Sequence, residues 1–395
     1  MKEVDVHIGH AAPVISGRLS NNRGRHVFSY RHDAAEALSV TMPIRYESYQ
    51  HPELHPIFQM NLPEGALRSA IERMTAKQYG SDDLTMLTIL GCHQIGRIAY
   101  SQPDRKPVTD AGNELSLKEI LNHQDAGLFD TLLQRYAQSS GVAGVQPKVL
   151  LDIKSRFTLP AERYIVKSWG DDYPQLACNE FVCLSMARDA GLQVADFYLS
   201  ENARLLVTQR FDIDEQGNAL GFEDFCVLQA KGTREKYDSS LEACTHTIRQ
   251  FVSPEYVAQA LYDFYKLTLL NVRIRNGDAH LKNSGILYTN LAGYTQGRIP
   301  DTVRKPAPVF DLVSTVPYLP QDTMALTLTG TKRWPKQKVL EAFGRGHCQL
   351  GKGQLSQAAE EVESGIQANL PLLEKLQRQH QEFAWVADKM LEIMG

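Results

Sequence analysis

The stretch NGDAHLKN, residues 276–283, decides how this chain reads. It follows an apolar run, LYDFYKLTLLNV (261–272), in which Leu261, Phe264, Leu267, Leu270 and then Ile274 recur at steps of three or four. That period predicts a helix with one buried face. The period stops at Asn276-Gly277, a turn signal, so Asp278 should emerge at a helix end with its carboxylate near the surface of a cleft. Asn283 closes the same loop. An aspartate and an asparagine at that separation can share one reaction: the first accepts a hydroxyl proton and the second offers an amide oxygen to a hard cation such as Mg²⁺. Further along, APVFDLVST (307–315) sets Asp311 just after Val309-Phe310, as a strand-end carboxylate would stand, and it would complete a metal site. Taken singly, Asp278 and Asp311 read more readily as a helix cap and a turn residue.

Other parts of the chain change that balance. GVAGVQPK (141–148) is a glycine-bearing turn; its backbone N–H groups can approach a phosphate closely, and Lys148 adds positive charge. It is not a Walker A loop, since Gln146 stands where the second glycine belongs. By itself it reads as a hairpin turn. In RYIVKSW (163–169) a strand period of two puts Lys167 on the same face as Ile165, where it can pair with α- and β-phosphates or, alternatively, snorkel at a sheet edge. The next predicted helix, QLACNEFVCLSMARDAG (175–191), carries Glu180 among apolar positions as a partner for Lys167 and is closed by Gly191. A connector, FEDFCVL (222–228), comes before the Asp…Asn loop. Glycine turn, strand lysine, helix glutamate, connector, loop Asp and Asn, then a metal Asp: this order is the layout of protein-kinase-type phosphotransferases.

Composition agrees with a folded protein of more than one domain. The 395 residues exceed the usual size of a single core, and 43% hydrophobic with 22% charged residues is ordinary globular composition. Lys+Arg at 42 against Asp+Glu at 46 leaves a net charge of −4, which excludes binding to nucleic acid through bulk positive charge. The basic stretch GTKRWPKQK (330–338) reads as a solvated surface. Six scattered cysteines show neither a disulfide framework nor zinc-ligand spacing, and suit small apolar residues in a reducing cytosol. No apolar run approaches the roughly 18 residues of a membrane span, and the N-terminal residues lack the apolar core of a signal peptide, so a cytoplasmic protein without membrane contact is expected.

Three units follow from the pattern. Residues 1–105 mix short alternating runs with a helix around EGALRSAIERMTAKQYG, an α+β unit; 106–228 form a β-rich nucleotide-binding lobe with the glycine turn; 229–395 are largely helical. The Pro-, Gly- and charge-rich SQPDRKPVTDAGNE (101–114) is the candidate linker.

With these residues in place, the chain resembles the HipA family of bacterial serine/threonine kinases, the toxins of HipBA-type toxin–antitoxin modules. The carriers are NGDAHLKN, GVAGVQPK, YIVK, NEFVCLSMARDAGL, RFD (210–212), EDFCVLQAKGTREKYD (223–238), PVFDLVSTVP (308–317) and, upstream, MNLPEGALR (60–68). The resemblance implies an α+β, two-lobed protein-kinase-like fold with an extra N-terminal α+β subdomain and a mostly helical C-terminal lobe. It implies Mg²⁺-dependent transfer of the ATP γ-phosphoryl group to a protein hydroxyl. Asp278 matches the catalytic aspartate, Asn283 and Asp311 the Mg²⁺ ligands, and Lys167 the phosphate-binding lysine. His280 and Lys282 shape the catalytic loop, with Lys282 toward the nucleotide; Val142, Ala143, Gly144 and Lys148 belong to the phosphate loop, and Phe225, Cys226 and Val227 to a hinge against adenine. Implied partners are a protein substrate, such as an aminoacyl-tRNA synthetase, and a HipB-like helix-turn-helix antitoxin that carries the kinase to operator DNA. Where several relatives have an autophosphorylated serine this chain has Gly141, which leaves Ser139 and Ser140 as candidate acceptors. Cys226-Val227 also replaces a polar residue often found in the hinge.

Three other readings compete. A small-molecule kinase shares the loop logic but not the N-terminal unit. A nucleotide-binding co-repressor scaffold has no need of Asp278, Asn283, Asp311 and Lys167 together. A metal hydrolase built on Asp278, His280 and Asp311 lacks His-rich ligand spacing.

Overall fold

The structure, a computed structural model, describes residues 3–9, 12–75, 80–107, 116–123, 127–128, 158–160 and 163–394. Three antiparallel sheets and a large helical region make up this part of the chain. The first sheet is formed by β1 (Glu3–Ile8), β2 (Val14–Asn22), β3 (Arg25–Tyr30), β4 (Tyr49–His51) and β5 (Ile98–Ser101), in the order β4-β3-β2-β1-β5. Its strands read as the alternating runs suggest: Val4, Val6, Leu19 and Phe28 point into a core with Leu38, Met42, Ile57 and Phe58. The helix read around residue 65 runs Gly65–Thr75, and a second, Asp83–Leu90, is capped by Asp82, whose carboxylate accepts from the Thr85 N–H at 3.1 Å.

The second sheet holds β6 (Thr158–Pro160), β7 (Tyr164–Ser168), β8 (Phe197–Leu199) and β9 (Leu205–Gln209), ordered β6-β7-β9-β8. Val166, Leu205 and Val207 from this sheet pack with Leu67, Ala70, Ile71, Met86, Ile89 and Leu90, so the two helices of the N-terminal unit rest on the sheet that carries Lys167. The third sheet joins β10 (Gly221–Asp224), β11 (Gly285–Tyr288) and β12 (Lys305–Pro306). It pairs a strand before residue 228 with two beyond it, so hydrogen-bonded strands join these two stretches of the chain.

The helical region is organised by Pro254–Arg273. Pro254 at its start, Glu255 in the first turn and Arg273 in the last follow the capping and dipole preferences of a helix, and Leu261, Tyr265, Leu269, Leu270 and Val272 are buried. It lies in the largest core together with Leu176–Asp189, Lys352–Gln379 and Ala384–Met394. None of the described helices is long and apolar enough to cross a membrane.

A buried carboxylate ties the N-terminal unit to the rest. Glu223 on β10 is fully buried and accepts from the Ser39 hydroxyl at 2.7 Å, the Val40 N–H at 2.8 Å and the Tyr288 hydroxyl at 2.5 Å. Backbone bonds from Ala37 to Leu291 and from Ile44 to Tyr294 extend the same seam. With its partners supplied from both sides, the charge can stay buried only while the two units are docked.

Candidate active site

The helix Pro254–Arg273 delivers the NGDAHLKN loop, and close backbone approach shapes it. A Cβ at Gly277 would stand 2.7 Å from the Thr323 carbonyl oxygen, so no side chain fits there. The Gly277 N–H donates to Thr315 Oγ1 at 2.9 Å and the Asp278 N–H to Asn276 Oδ1 at 3.0 Å. Asn276 in turn donates through its amide to Asn271 Oδ1 at 2.8 Å, anchoring the turn to the last helical turn. Asp278 is thereby presented with its side chain 40% exposed. The Tyr237 hydroxyl donates to Asp278 Oδ1 at 2.7 Å, and the Tyr237 ring stands edge-on to His280, 5.1 Å between centroids.

Asn283 bridges the loop to Asp311. Its Nδ2 donates to the Asp278 carbonyl at 2.9 Å and to the Asp311 carbonyl at 3.4 Å, while its Oδ1 is buried and has no hydrogen-bond partner among the described residues. Asp311 lies in no strand, contrary to the expectation of a strand-end carboxylate: Val309 makes only an isolated bridge to Val194, and Asp311 itself takes φ +59°, the left-handed region. A non-glycine residue is held there at a cost when surrounding contacts demand it. The contacts are specific: Ser314 and Asn179 exchange two hydrogen bonds of 2.8 Å, fastening this segment to the helix Leu176–Asp189.

That same helix brings Glu180 to Lys167. The Lys167 ammonium lies 2.5 Å from Glu180 Oε1 and 2.5 Å from Asp311 Oδ1, joining the sheet, the helix and the segment that carries Asp311. Burial alone would depress the ammonium, but the Asp311 and Glu180 carboxylates outweigh it and hold its pKa above the ordinary lysine value. Lys282 behaves alike: burial opposes its charge, and Glu64, with Asp224 beyond it, more than restores it. Its ion pair is with Glu64 of the N-terminal unit, which also lies 4.0 Å from Lys236. His280 is shifted down by burial, against the pull of Asp278.

Asp278, His280, Lys282, Asn283 and Asp311 open onto one cleft of about 890 Å³ whose other wall is residues 60–65 and 93–95 of the N-terminal unit. Phe225, Cys226 and Val227 are not part of this lining. They form a short buried helix, Phe225–Leu228, whose side chains enter the protein cores, Val227 that of the N-terminal unit. Phe225 lines two neighbouring pockets that Asn283 also borders. Ser139, Ser140, Val142, Ala143, Gly144 and Lys148 lie outside the described residues. Glu64, Tyr237 and Asn179 are singled out by no local pattern; MNLPEGALR, EDFCVLQAKGTREKYD and NEFVCLSMARDAGL contain them, and that is the signal available.

The arrangement can hold a nucleotide phosphate at Lys167 and offer a carboxylate, Asp278, to an acceptor. The fit to a hard divalent cation rests on the unpartnered Asn283 Oδ1 beside the Asp311 segment. Among the described residues no group of three or more His, Cys, Asp or Glu forms a protein-only metal cage. Mg²⁺ needs none, since it binds through one or two side chains, water and substrate phosphates.

Residues 140–370 match the HipA-like C-terminal domain and residues 9–101 the HipA N-terminal domain. The chain belongs to the HipA family. Among curated proteins it is similar to two from Sinorhizobium fredii, named "Putative kinase Y4dM" and "Putative kinase Y4mE". It is 28% identical to the first over 306 residues, 70% of this chain and 66% of that protein. To the second it is 30% identical over 311 residues, 71% of this chain and 69% of that protein. The HipA-family chain thus spans about two thirds of the length of these relatives. Among solved structures it superposes on a chain of the Shewanella oneidensis MR-1 toxin–antitoxin complex of HipA, HipB and operator DNA. The TM-score is 0.67 at 19% identity, covering 99% of this chain and 96% of the other. The fold is therefore α+β and HipA-like, with a helical C-terminal region.

Proposed function

We propose that this HipA-family protein is a Mg-ATP-dependent serine/threonine protein kinase that arrests growth by phosphorylating a cellular protein and is neutralised by a HipB-like, DNA-binding antitoxin. The observation that carries the reading is the convergence of Lys167, Glu180 and Asp311 through two 2.5 Å ion pairs beside the loop that presents Asp278 and Asn283. A strand lysine held by a helix glutamate, next to an Asp…Asn loop, is the constellation that phosphoryl transfer requires.

In this reading Glu180 orients Lys167, and Lys167 binds the α- and β-phosphates. Asn283 and Asp311 hold Mg²⁺, which when bound neutralises phosphate charge. Asp278 accepts the proton of the acceptor hydroxyl as the new O–P bond forms; the γ-phosphorus to oxygen bond breaks and ADP leaves. Lys282, kept cationic by Glu64, adds positive charge beside the transferred group. Rate enhancement then comes mainly from positioning and charge stabilisation. The antitoxin and operator DNA enter by analogy with the Shewanella complex, DNA mainly through the antitoxin.

The test is incubation with γ-labelled ATP and Mg²⁺ in a ribosome-free cell extract, with EDTA as control, followed by mass spectrometry. The reading expects label on serine or threonine of an extract protein, lost with EDTA. Label on a small molecule alone would replace it with a small-molecule kinase, and ATP binding without any transfer would replace it with a scaffold.

A further inference from the structure

Seven large apolar or aromatic side chains are exposed among the described residues, and three of them gather around the active-site cleft. Tyr237 and Leu319 line it, and Trp385 stands against Tyr318, which lines it too. Single exposed apolar side chains need no explanation, but a contiguous group does. Tyr237 is engaged by Asp278. Leu319 and Trp385, 46% and 44% exposed, have no part in the chemistry proposed above.

The patch is rigid and is built onto the catalytic loop. Tyr318 stands edge-on between two rings, with centroids 5.6 Å from Tyr173 and 5.6 Å from Trp385. Its hydroxyl donates to the Pro174 carbonyl at 3.0 Å, and Gln175 Nε2 donates to Glu382 at 3.1 Å, which fixes the segments that carry Tyr173 and Trp385. Trp385 lies in the first turn of the helix Ala384–Met394, whose core face is Val386, Ala387, Met390 and Met394, so its indole is left outside. Thr315 sets the distance to Asp278. Its Oγ1 accepts from the Gly277 N–H, and its carbonyl accepts from the Tyr318 N–H at 3.0 Å and the Leu319 N–H at 2.9 Å. A single turn of chain therefore joins the loop to the patch.

We propose that Tyr318, Leu319 and Trp385 form a docking subsite for the acceptor polypeptide, taking an apolar side chain near the phosphorylated serine or threonine; this rests on the kinase reading above. Two observations favour that occupant. The patch is continuous with the cleft that Asp278 lines, so one extended polypeptide can occupy both. Its rim also carries unpaired negative charge: Asp172, next to Tyr173, and Glu382, three residues before Trp385, are exposed and in no ion pair among the described residues. A polypeptide with Lys or Arg beside the apolar residue matches both features. An aromatic anchor gives such a contact its affinity, and the charged rim gives it selectivity.

Leu319→Ser and Trp385→Ser, in the full chain, are compared with the native protein on a degenerate peptide library with a central serine, ATP and Mg²⁺. The native protein should select an apolar residue with Lys or Arg beside it. Each serine variant should raise the KM for the selected peptide about tenfold, the scale of one partly buried apolar contact, with the ATP Kd unchanged. Asp172→Asn combined with Glu382→Gln should remove the preference for Lys or Arg and keep the apolar one, a change in selection that a purely structural role would not produce. A native protein that labels the library without an apolar preference, or serine variants with native KM, overturns the inference while the kinase reading stands. Native KM together with an altered oligomeric state in sedimentation also overturns it, and gives the patch to a second copy of the chain. If only an extract protein is labelled, the same variants are scored on that protein, and native rates at limiting concentration overturn the inference. A native protein that binds ATP and labels neither peptide nor extract protein fails the kinase reading, and the inference with it.

Discussion

Replacing Lys167 by methionine keeps most of the side-chain volume and removes the cation that lies 2.5 Å from both Glu180 and Asp311. Asp311 is 39% exposed at its side chain and can turn to water, so the cost falls on Glu180, which is 5% exposed. Removing one cation from beside a buried carboxylate destabilises a fold by up to about 3–5 kcal/mol. The carboxyl can escape by taking a proton, and from an ordinary pKa of about 4.3 that costs about 3.7 kcal/mol at pH 7 and about 1 kcal/mol at pH 5. The expected loss is therefore about 3 kcal/mol at pH 7, shrinking to about 1 kcal/mol at pH 5. Urea unfolding at both pH values measures it, and Glu180→Gln added to Lys167→Met should recover most of the loss at pH 7. A loss below about 1 kcal/mol at pH 7, or one that is the same at both pH values, refutes the reasoning. Calorimetry on the single variant should also register weakened ATP binding, since the proposed phosphate partner is gone.

Three further expectations follow from the geometry. Asp224 is fully buried and its pKa is pushed up to about 6, chiefly by burial, so the folded state binds the proton more tightly than the unfolded chain; the contribution of this group to stability is fully present below about pH 4 and is lost as pH rises through about 6. Asp224→Asn, which keeps a cap acceptor for the Val227 N–H, should remove about one proton from that pH dependence in unfolding titrations, and an unchanged slope would exclude Asp224 as its source. Tyr237→Phe deletes the hydrogen bond to Asp278 Oδ1 but leaves the ring against His280, so steady-state kinetics should show transfer slowed about tenfold with ATP affinity unchanged; a native rate would remove Tyr237 from the mechanism. Glu64→Gln removes the anion that holds Lys282, and transfer should fall about tenfold in the same assay while the melting temperature moves little, because Glu64 is half exposed; native kinetics would mean that the pair is incidental.

Local sequence patterns carried some of this site and could not carry the rest. The helix Pro254–Arg273 and its stop at Asn276-Gly277 were legible because burial of one face imposes a period and a crowded turn imposes a glycine. Lys167 and Glu180 could be paired in advance because a strand followed by a helix packed on its sheet brings nearby residues together. Asp311 was misplaced at a strand end because a short apolar run looks alike in a strand and in an irregular segment held by Asn179, whose bonds to Ser314 span 135 residues. Glu64 meets Lys282 across 218 residues and Tyr237 meets Asp278 across 41, and no periodicity encodes such contacts. The burial of Phe225–Leu228 was hidden for a related reason: its neighbours come from the N-terminal unit as well as from the helical lobe.

The central claim is that Asp278 acts in phosphoryl transfer and not in holding nucleotide. The measurement that tests it is a side-by-side comparison of the native protein and Asp278→Ala, with ATP affinity by calorimetry and label transfer from γ-labelled ATP to protein in the presence of Mg²⁺. The account predicts an ATP Kd within about twofold of native and transfer reduced at least about a thousandfold. Parallel loss of nucleotide affinity and transfer, or transfer that survives the substitution, would contradict it.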